Sequence, residues 1–184
     1  KRDIADIARH SLKPSRQTRL LYRLVSHFQS QNIIEMGTSL GITTCYLAKA
    51  NFNARVVTLE GCPEISKIAY NSFEELKINN IQLVTGEFNQ TLPTVLDSME
   101  TVDLVFFDGN HQAEATIGYF THCLQKKHNN SLFVFDDIHR SPGMELAWDY
   151  IKTHPEVAVT FDLFFMGLVF FKKELTKQHF TIRF

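Results

Sequence analysis

Cysteine is scarce in this chain, which has 3 cysteines among 184 residues, at positions 45, 62 and 123. A set this small, scattered and odd in number does not form a disulfide framework, so a reducing compartment is the simpler expectation. Long apolar runs are missing as well. The longest, from Leu163 to Phe171, has nine residues, far fewer than the roughly 20 that a bilayer span needs. These absences predict a cytoplasmic protein without a membrane partner.

A large excess of charge is also missing, since the formal net charge is −1. The charge is uneven, however, because residues 24–171 hold 8 basic and 17 acidic residues. An acidic body lacks the clustered positive charge of a nucleic-acid groove, so we expect no nucleic-acid partner. The 44% hydrophobic content excludes disorder. The length predicts one domain over 1–184, with N-terminal helices in 1–30, a core in 31–171 and a tail in 172–184.

Short apolar runs alternate along the chain with segments of helical period. Pro63 and Pro142 stand at first-turn positions of two such helical segments. Strands without polar alternation, separated by helices, predict a parallel sheet covered on both faces. The expected fold is therefore a doubly wound, Rossmann-like α/β domain. The five predicted strands are 33–36, 56–59, 81–85, 102–107 and 132–135.

The C-terminal part departs from this alternation. Residues 157–165 and 167–171 form two strand-like runs with almost nothing between them. A parallel pair needs a long crossover, so these two strands must be antiparallel. We therefore predict a mostly parallel sheet closed by a C-terminal antiparallel hairpin. The alternating tail 180–184 predicts either a further edge strand or a contact with a partner, and the oligomeric state stays open, with a homodimer as one option.

Ligands of open α/β sheets lie beyond the carboxyl ends of the strands, so the residues after each strand carry the functional argument. The first strand leads into Glu35-Met-Gly37-Thr-Ser39-Leu-Gly41, followed by a helix. Glycines permit a tight turn and close backbone approach to a ligand, and a helix N-terminus offers N–H groups to an anion. The spacing is not the G-x-G-x-x-G of dinucleotide sites. An acid before the first glycine suits a ligand with a cationic amine, although a plain strand-to-helix turn also fits this segment alone.

The second and third strands also end in acidic residues. Glu60 follows the second strand, where a carboxylate can accept hydrogen bonds from both hydroxyls of a ribose. Gly86-Glu87-Phe88 follows the third strand, where an acid and an aromatic ring could flank an adenine. For Glu87, an ordinary surface position is an equally good interpretation.

The fourth and fifth strands end in Asp108-Gly-Asn-His111 and in Asp136-Asp137-Ile-His139. Carboxylates gathered at one site repel one another unless a cation or a proton joins them, so this end of the sheet predicts a divalent metal. Oxygen ligands favour Mg²⁺, Ca²⁺ or Mn²⁺ over Zn²⁺. The alternative is structural, with one aspartate capping a helix and another binding backbone amides. His139 either binds substrate or caps the next helix, and the cap is the preferred interpretation.

At these motifs the sequence resembles the class I S-adenosylmethionine-dependent methyltransferases, in particular the catechol O-methyltransferase-like branch of small O-methyltransferases. The resemblance runs from about Thr18 to Phe171. It implies S-adenosylmethionine as cofactor, with Glu35, Gly37 and Ser39 at its methionine end, Thr43 at its carboxylate and Glu60 at its ribose. The full set of candidate cofactor residues is Glu35, Gly37, Ser39, Gly41, Thr43, Glu60, Glu87, Phe88 and Asp108.

The same resemblance implies that Asp108, Asp136 and Asp137 bind Mg²⁺. That branch carries a lysine as general base three residues after the first aspartate, where this chain has His111. A histidine, with an ordinary pKa of about 6.5, is fit for the same task. The predicted reaction is attack by a hydroxyl of a small-molecule acceptor on the sulfonium methyl, with the metal activating that hydroxyl. Asp108 and His111 are the predicted catalytic residues.

Two other classes of function remain as alternatives. Gly109-Asn110-His111 followed by Glu114 is similar to a block of metallophosphoesterases and suggests a metal-dependent hydrolase. Those enzymes also need an Asp-x-His and a Gly-Asp block upstream, and neither occurs before Gly109 in this sequence. The second alternative is a binding domain that keeps the cofactor fold without turnover, because a fold does not guarantee a function.

Overall fold

The computed structural model describes residues 12–183, so the part of the predicted N-terminal helical region before residue 12, and Phe184 of the predicted tail, lie outside the described residues. The chain divides between Thr91 and Leu92 into two compact units, which are described in turn. The helices are α1 (Ser15–Phe28), α2 (Ile42–Ala50), α3 (Pro63–Glu75), α4 (Phe88–Asp97), α5 (Ala113–Leu124) and α6 (Pro142–Thr153). The strands are β1 (Asn32–Met36), β2 (Arg55–Glu60), β3 (Ile81–Thr85), β4 (Val102–Phe107), β5 (Lys127–Asp136), β6 (Val159–Asp162), β7 (Met166–Phe170) and β8 (Gln178–Thr181).

The first unit is built on three parallel strands in the order β3-β2-β1. Strands β1 and β2 are almost wholly buried, which explains their apolar sequence without polar alternation. Helix α1 packs against α2, and α3 packs against β2 and β3. The predicted runs 33–36, 56–59 and 81–85 all fall within these strands, so the parallel arrangement predicted for them is confirmed.

The second unit combines parallel and antiparallel pairing. Strands β4 and β5 are parallel, whereas β7 runs antiparallel to both β5 and β6. The predicted C-terminal hairpin is therefore confirmed. Strand β8 pairs in parallel with β6 at the outer edge. The tail thus forms the edge strand, although it starts at Gln178, earlier than the alternation beginning at residue 180 predicts.

Aromatic rings fill the core of the second unit. The rings of Phe107 and Phe135 stack with their centroids 4.2 Å apart. Trp148 of α6 is buried over β7, where a Cβ on Gly167 would come within 2.6 Å of its ring. Gly167 is therefore required by packing, since only a residue without a side chain lets the indole lie against the strand.

Two elements differ from the expectations from sequence. Helix α4 is not predicted, because Pro93 lies inside it and proline ordinarily breaks a helix. Strand β5 starts at Lys127, five residues before the predicted run 132–135, and its pairing with β4 is irregular between Val102 and Leu104. Residues 127–131 are polar, so a prediction based on apolar runs does not include this first part of β5. Across residues 12–183, every helix is too short or too polar to cross a bilayer.

Candidate functional site

The turn after β1 is formed by residues with left-handed backbone. The φ angles are +104° at Gly37, +48° at Ser39 and +77° at Gly41. The main-chain N–H groups of Gly37 and Thr38 both donate to the carbonyl oxygen of Leu59, at 2.9 and 3.1 Å. These bonds tie the turn to β2. The glycines thus serve the sharp passage from strand to helix that their positions predict.

The carboxylate of Glu60 is held in place by this turn. Its Oε2 accepts a hydrogen bond from the N–H of Ser39 at 2.9 Å, and its Oε1 accepts one from the N–H of Cys62 at 2.9 Å. A carboxylate has about four lone-pair positions, so two main-chain donors leave room for further donors. The arrangement can accept both hydroxyls of a ribose, and the structure brings Ser39 into contact with Glu60. The role of Glu60 at a ribose stays a prediction.

Glu35 is completely buried beneath the turn. Its Oε2 accepts hydrogen bonds from the hydroxyls of Thr44 and Thr58, the latter at 2.7 Å. Its Oε1 is buried without a hydrogen-bond partner among the residues that the structure describes. Burial raises the pKa of the Glu35 carboxyl to about 7. The hydrogen bonds from the two threonine hydroxyls lower this pKa, but their effect is smaller than that of burial. The partnerless oxygen is compatible with a ligand that brings a donor or a cation to this carboxyl.

The threonines around Glu35 are not found by the sequence analysis. Thr58 also shares a 2.6 Å hydrogen bond with the hydroxyl of Thr38, so a chain of buried hydroxyls links the turn to the acid. A signal for Thr58 was present, because it is the polar residue within the buried run of β2. Thr44 carries no comparable signal, and the sequence analysis selects the neighbouring Thr43, which is half-buried in the first turn of α2.

Gly41 has a packing role that its motif does not reveal. A Cβ at this position would lie 2.5 Å from the ring of Phe73 and 3.2 Å from the Cβ of Ala69. The glycine therefore lets α2 approach α3. Its predicted place at a cofactor stays a prediction.

Glu87 and Phe88 lie at the start of α4. Glu87 is exposed, and its carbonyl oxygen accepts hydrogen bonds from the N–H groups of Gln90 and Thr91, each at 3.0 Å. Phe88 is half-buried and is the first residue of the helix. That these two side chains flank an adenine stays a prediction.

The second unit contains a cluster of possible metal ligands, formed by Asp108, His111 and Asp136. Each offers one donor atom, and the three atoms lie within 4.8 Å of one another. Asp136 ends β5 and is 5% exposed, whereas Asp108 follows the parallel strand β4 and is partly exposed. The common strand direction explains why residues far apart in sequence meet here. Two carboxylate oxygens and one imidazole nitrogen are a donor set that fits a divalent cation.

Asp137 makes a different set of contacts from the other two aspartates. Its Oδ2 lies 2.9 Å from Nη1 of Arg140, with which it forms an ion pair, and 4.0 Å from Nε2 of His111. The predicted metal ligands are Asp108, Asp136 and Asp137. The cluster whose donor atoms lie within 4.8 Å of one another contains the first two, and its third member is His111. Nε2 of His111 also lies 4.0 Å from Oδ1 of Asp108.

His139 does not cap α6, so that preferred interpretation is wrong. The cap is Ser141, whose hydroxyl accepts a hydrogen bond from the N–H of Met144 at 3.2 Å. His139 lies outside the helix, with its Nε2 2.8 Å from Oδ2 of Asp162 and its Nδ1 3.4 Å from Oε1 of Glu145. The imidazole therefore connects the β6–β7 hairpin to the start of α6.

Residues 34–138, more than half of the chain, match the model of a family described as a methyltransferase domain, Methyltransf_24. The chain belongs to this family, and the resemblance inferred from the sequence is confirmed at that level. The matched range includes Glu35 and Glu60 of the first unit, and it includes the cluster of Asp108, His111 and Asp136 in the second unit. None of these findings favours the hydrolase alternative.

Two curated relatives are named catechol O-methyltransferase. The one from Mycobacterium tuberculosis is 28% identical over 144 residues, which cover 77% of this chain and 63% of that protein. The one from Niastella koreensis is 28% identical over 133 residues, which cover 71% of this chain and 59% of that protein. The chain thus spans about six tenths of the length of the curated relatives that it matches.

A solved structure with a similar fold is an O-methyltransferase from Bacillus cereus in complex with SAH. It has a TM-score of 0.77 and 21% identity, and the match covers 92% of this chain and 92% of that chain. The likeness shows the fold, so the predicted α/β fold of class I methyltransferase architecture is confirmed.

Proposed function

We propose that this chain is an S-adenosylmethionine-dependent O-methyltransferase that acts on a hydroxyl of a small molecule with the help of a divalent cation such as Mg²⁺. Residues 1–184 would form a single domain for this purpose. The observation that carries the proposal is the carboxylate of Glu60, fixed by the N–H groups of Ser39 and Cys62 in a chain of the methyltransferase family. The names of the curated relatives support an oxygen atom as methyl acceptor.

The first unit would bind the methyl donor. S-adenosylmethionine supplies the reaction with a methyl group on a positively charged sulfur. Glu60 accepts the ribose hydroxyls, because its two oxygens are already oriented by main-chain donors. Glu35 offers its partnerless buried oxygen toward the amine end of the ligand, and Thr43 reaches the carboxylate from the first turn of α2.

The second unit would activate the acceptor. Asp108 and Asp136 would hold the cation, with Asp137 as the further ligand that the resemblance implies. A divalent cation bound there would lower the pKa of the acceptor hydroxyl and orient its oxygen. An imidazole nitrogen of His111 takes the proton of that hydroxyl. The acceptor oxygen forms its bond to the methyl carbon while the carbon–sulfur bond breaks, which leaves a methyl ether and a thioether.

We also propose a cytoplasmic location, which is supported by the three cysteines, because all are free thiols and two of them, Cys45 and Cys123, are buried. A homodimer stays a prediction from the sequence.

Calorimetric titration with S-adenosylmethionine tests the proposal directly. Hydrogen bonds to a charged group are worth about 1.5–3 kcal/mol each, so Glu60→Ala should weaken binding at least tenfold. Glu75→Ala, which removes an exposed acid from α3, is the matched control and should bind like the wild type. A wild type that does not bind S-adenosylmethionine would contradict the proposed function, and equal affinity in Glu60→Ala would contradict the role of Glu60.

A further inference from the structure

The carboxyl group of Glu35 differs from that of Glu60, because the protein supplies donors to only one of its two oxygens. Oε2 accepts hydrogen bonds from the hydroxyls of Thr44 and Thr58, whereas Oε1 is buried without a partner among the described residues. Glu35 as a whole is 0% exposed. An ionised carboxylate spreads its charge over both oxygens, so half of this buried charge would lack a donor. Burying an uncompensated charge costs more free energy than burying a neutral polar group.

The directions of the hydrogen bonds show which oxygen of Glu35 can hold a proton. Both threonine hydroxyls act as donors to Oε2, so Oε2 is the accepting oxygen. The hydroxyl of Thr38, 2.6 Å from that of Thr58, then acts as donor to Thr58, whose own proton is directed at Glu35. The proton of a neutral Glu35 therefore lies on Oε1, the oxygen to which no described residue donates.

Three titratable groups face Glu35 from the surrounding elements. Lys13, which precedes α1, lowers the pKa of Glu35, and Glu60, at the end of β2, raises it. Both effects are smaller than that of burial, which brings this pKa to about 7. Burial, and after it the neighbouring Glu35, raises the pKa of the Cys45 thiol in α2 to about 11, so this thiol stays neutral near pH 7. The surroundings of Glu35 thus leave its charge only partly compensated.

The amine of S-adenosylmethionine would supply what Oε1 lacks. An ammonium group carries a positive charge and three N–H donors. An opposite charge at hydrogen-bonding distance favours the ionised form of a carboxyl group. Because the proton of neutral Glu35 lies on the same oxygen, the proton and the ammonium group compete for one position.

We infer that Glu35 holds a proton on Oε1 in the unliganded chain below neutral pH, and releases it when the ammonium group of the methyl donor binds there. The inference rests on the proposed function and adds to it the regulation of donor binding by pH. The O–H bond of Glu35 breaks and its proton passes to water or buffer, while the ammonium group keeps its own three protons. S-adenosylmethionine and SAH share this amine, so the binding of either should weaken as pH falls.

Calorimetric titration of SAH in buffers of different ionisation enthalpy counts the protons released. At pH 6.5 the wild type should release roughly 0.5–1 proton per SAH bound, and its affinity should fall about tenfold between pH 7.5 and pH 5.5. The matched probe is 5′-methylthioadenosine, which keeps the adenosine and the thioether but lacks the amine and the carboxylate. Its binding should release no proton and should stay constant over this pH range.

Two variants assign the released proton to Glu35. Glu35→Gln carries an amide that does not titrate, so it should bind SAH without proton release and with an affinity that is independent of pH. Thr44→Val removes a hydroxyl that favours the ionised form of Glu35, so the fall in SAH affinity should begin at a higher pH. Glu75→Gln changes an exposed acid of α3 and is the control, which should release the same number of protons as the wild type.

The possible failures separate this inference from the proposed function. If the wild type binds SAH without proton release and with equal affinity at pH 7.5 and pH 5.5, the inference is overturned while the methyltransferase proposal stands. Equal proton release with 5′-methylthioadenosine, or in Glu35→Gln, would assign the proton to another group and would also overturn the inference. If the wild type binds neither SAH nor S-adenosylmethionine, the proposed function fails first and the inference fails with it.

Infrared difference spectroscopy of the wild type gives a second measurement that needs no variant. At pH 6.5 the addition of SAH should remove the carbonyl band of a protonated carboxylic acid and add the band of a carboxylate. Labelling of glutamate with ¹³C in its carboxyl group should shift both bands. A difference spectrum without these bands would show that no glutamate loses a proton on binding, and the inference would be overturned.

Discussion

The two units of the molecule arrange their acidic residues in opposite ways. In the first unit, Glu35 and Glu60 accept hydrogen bonds from neutral hydroxyl and main-chain donors of the protein itself. In the second unit, Asp108 and Asp136 bring two carboxylates within 4.8 Å of each other, with His111 as the third member of the group. In the first arrangement, three of the four carboxylate oxygens have neutral donors from the protein, and Oε1 of Glu35 has no partner among the described residues. The second gathers like charges that a cation would stabilise.

This difference indicates what each unit needs in order to function. A carboxylate held by main-chain donors is already oriented, so a ligand with hydroxyl groups can bind without reorganisation of the site. A pair of neighbouring carboxylates carries like charges that repel each other, and a cation placed between them removes that repulsion. We therefore expect the binding of S-adenosylmethionine, the methyl donor, to be independent of divalent cations. We expect the activation of the methyl acceptor to depend on them. The following predictions test that contrast, beginning with the largest effect.

The largest effect is expected for His111→Ala. A general base contributes typically about 10²–10⁴-fold to turnover, so this variant should lose catechol methylation by a factor in that range. Its affinity for S-adenosylmethionine should stay unchanged, because Glu35, Thr43 and Glu60, the residues proposed to hold the methyl donor, are intact. Turnover and calorimetric titration of the same preparations measure the two quantities. His122→Ala, which removes an exposed histidine at the end of α5, is the control and should behave like the wild type.

The same variant distinguishes a base from a metal ligand. If His111 is a base, His111→Ala should still be stabilised by Mg²⁺ to the same extent as the wild type. A lost response to Mg²⁺ would instead make the imidazole a ligand, in line with its place in the cluster.

The contrast between the two units was only partly visible in the sequence. Glu60, Asp108 and Asp136 could be predicted because parallel strands end at a common edge and each of these residues stands at a strand end. Thr44, one hydroxyl partner of Glu35, could not be predicted, since which buried threonine meets a buried acid depends on side-chain packing. The other partner, Thr58, is marked only as the polar residue within the buried run of β2. The placement of Asp137 was equally inaccessible, because it depends on the left-handed φ of +53° that directs the chain after β5.

The same reasoning applies to the fold. Buried strands and amphipathic helices leave a periodic pattern, so all the strands of the first unit and the C-terminal hairpin were predicted. Helix α4 contains Pro93, and the first part of β5 is polar, so both lack the pattern on which the prediction depends. The cost of Pro93 and the polar character of residues 127–131 are offset by tertiary contacts that a local pattern does not report.

The second largest effect concerns pH and tests the first unit alone. Burial raises the pKa of Glu35 to about 7 in the folded chain, whereas an unfolded glutamate has its ordinary value near 4.5. Between these values the folded state binds more protons than the unfolded state, so the free energy of unfolding falls as pH rises. The contribution of Glu35 is fully present below about pH 4.5 and is lost by about pH 7. Over that window it amounts to at most about 3 kcal/mol.

Glu35→Gln isolates this contribution. The amide does not titrate, so the variant should lose the part of the pH dependence that Glu35 causes. The quantity to compare is the slope of unfolding free energy against pH, from urea denaturation between pH 4.5 and 7.5. Other groups titrate equally in both proteins, and the absolute cost of the substitution does not affect the slope. Equal slopes would show that Glu35 is ionised throughout the range, with its charge neutralised by Lys13, which lowers its pKa, or by another group.

The smallest effect is the stabilisation by Mg²⁺, and it tests the second unit alone. A ligand that binds only the folded state stabilises it by about 2.7 kcal/mol at a hundredfold excess over its dissociation constant, so Mg²⁺ should raise the melting temperature of the wild type. Asp136→Asn keeps the shape of the side chain but removes one negative charge. Without Mg²⁺ it should melt at or above the wild-type temperature, because the repulsion with Asp108 is gone, and Mg²⁺ should not raise that temperature further. Asp97→Asn, an exposed position at the end of α4, should respond to Mg²⁺ like the wild type. If Mg²⁺ raises the melting temperatures of Asp136→Asn and the wild type equally, the cluster does not hold the cation. The carboxylates of both units would then be stable in their places without an ion.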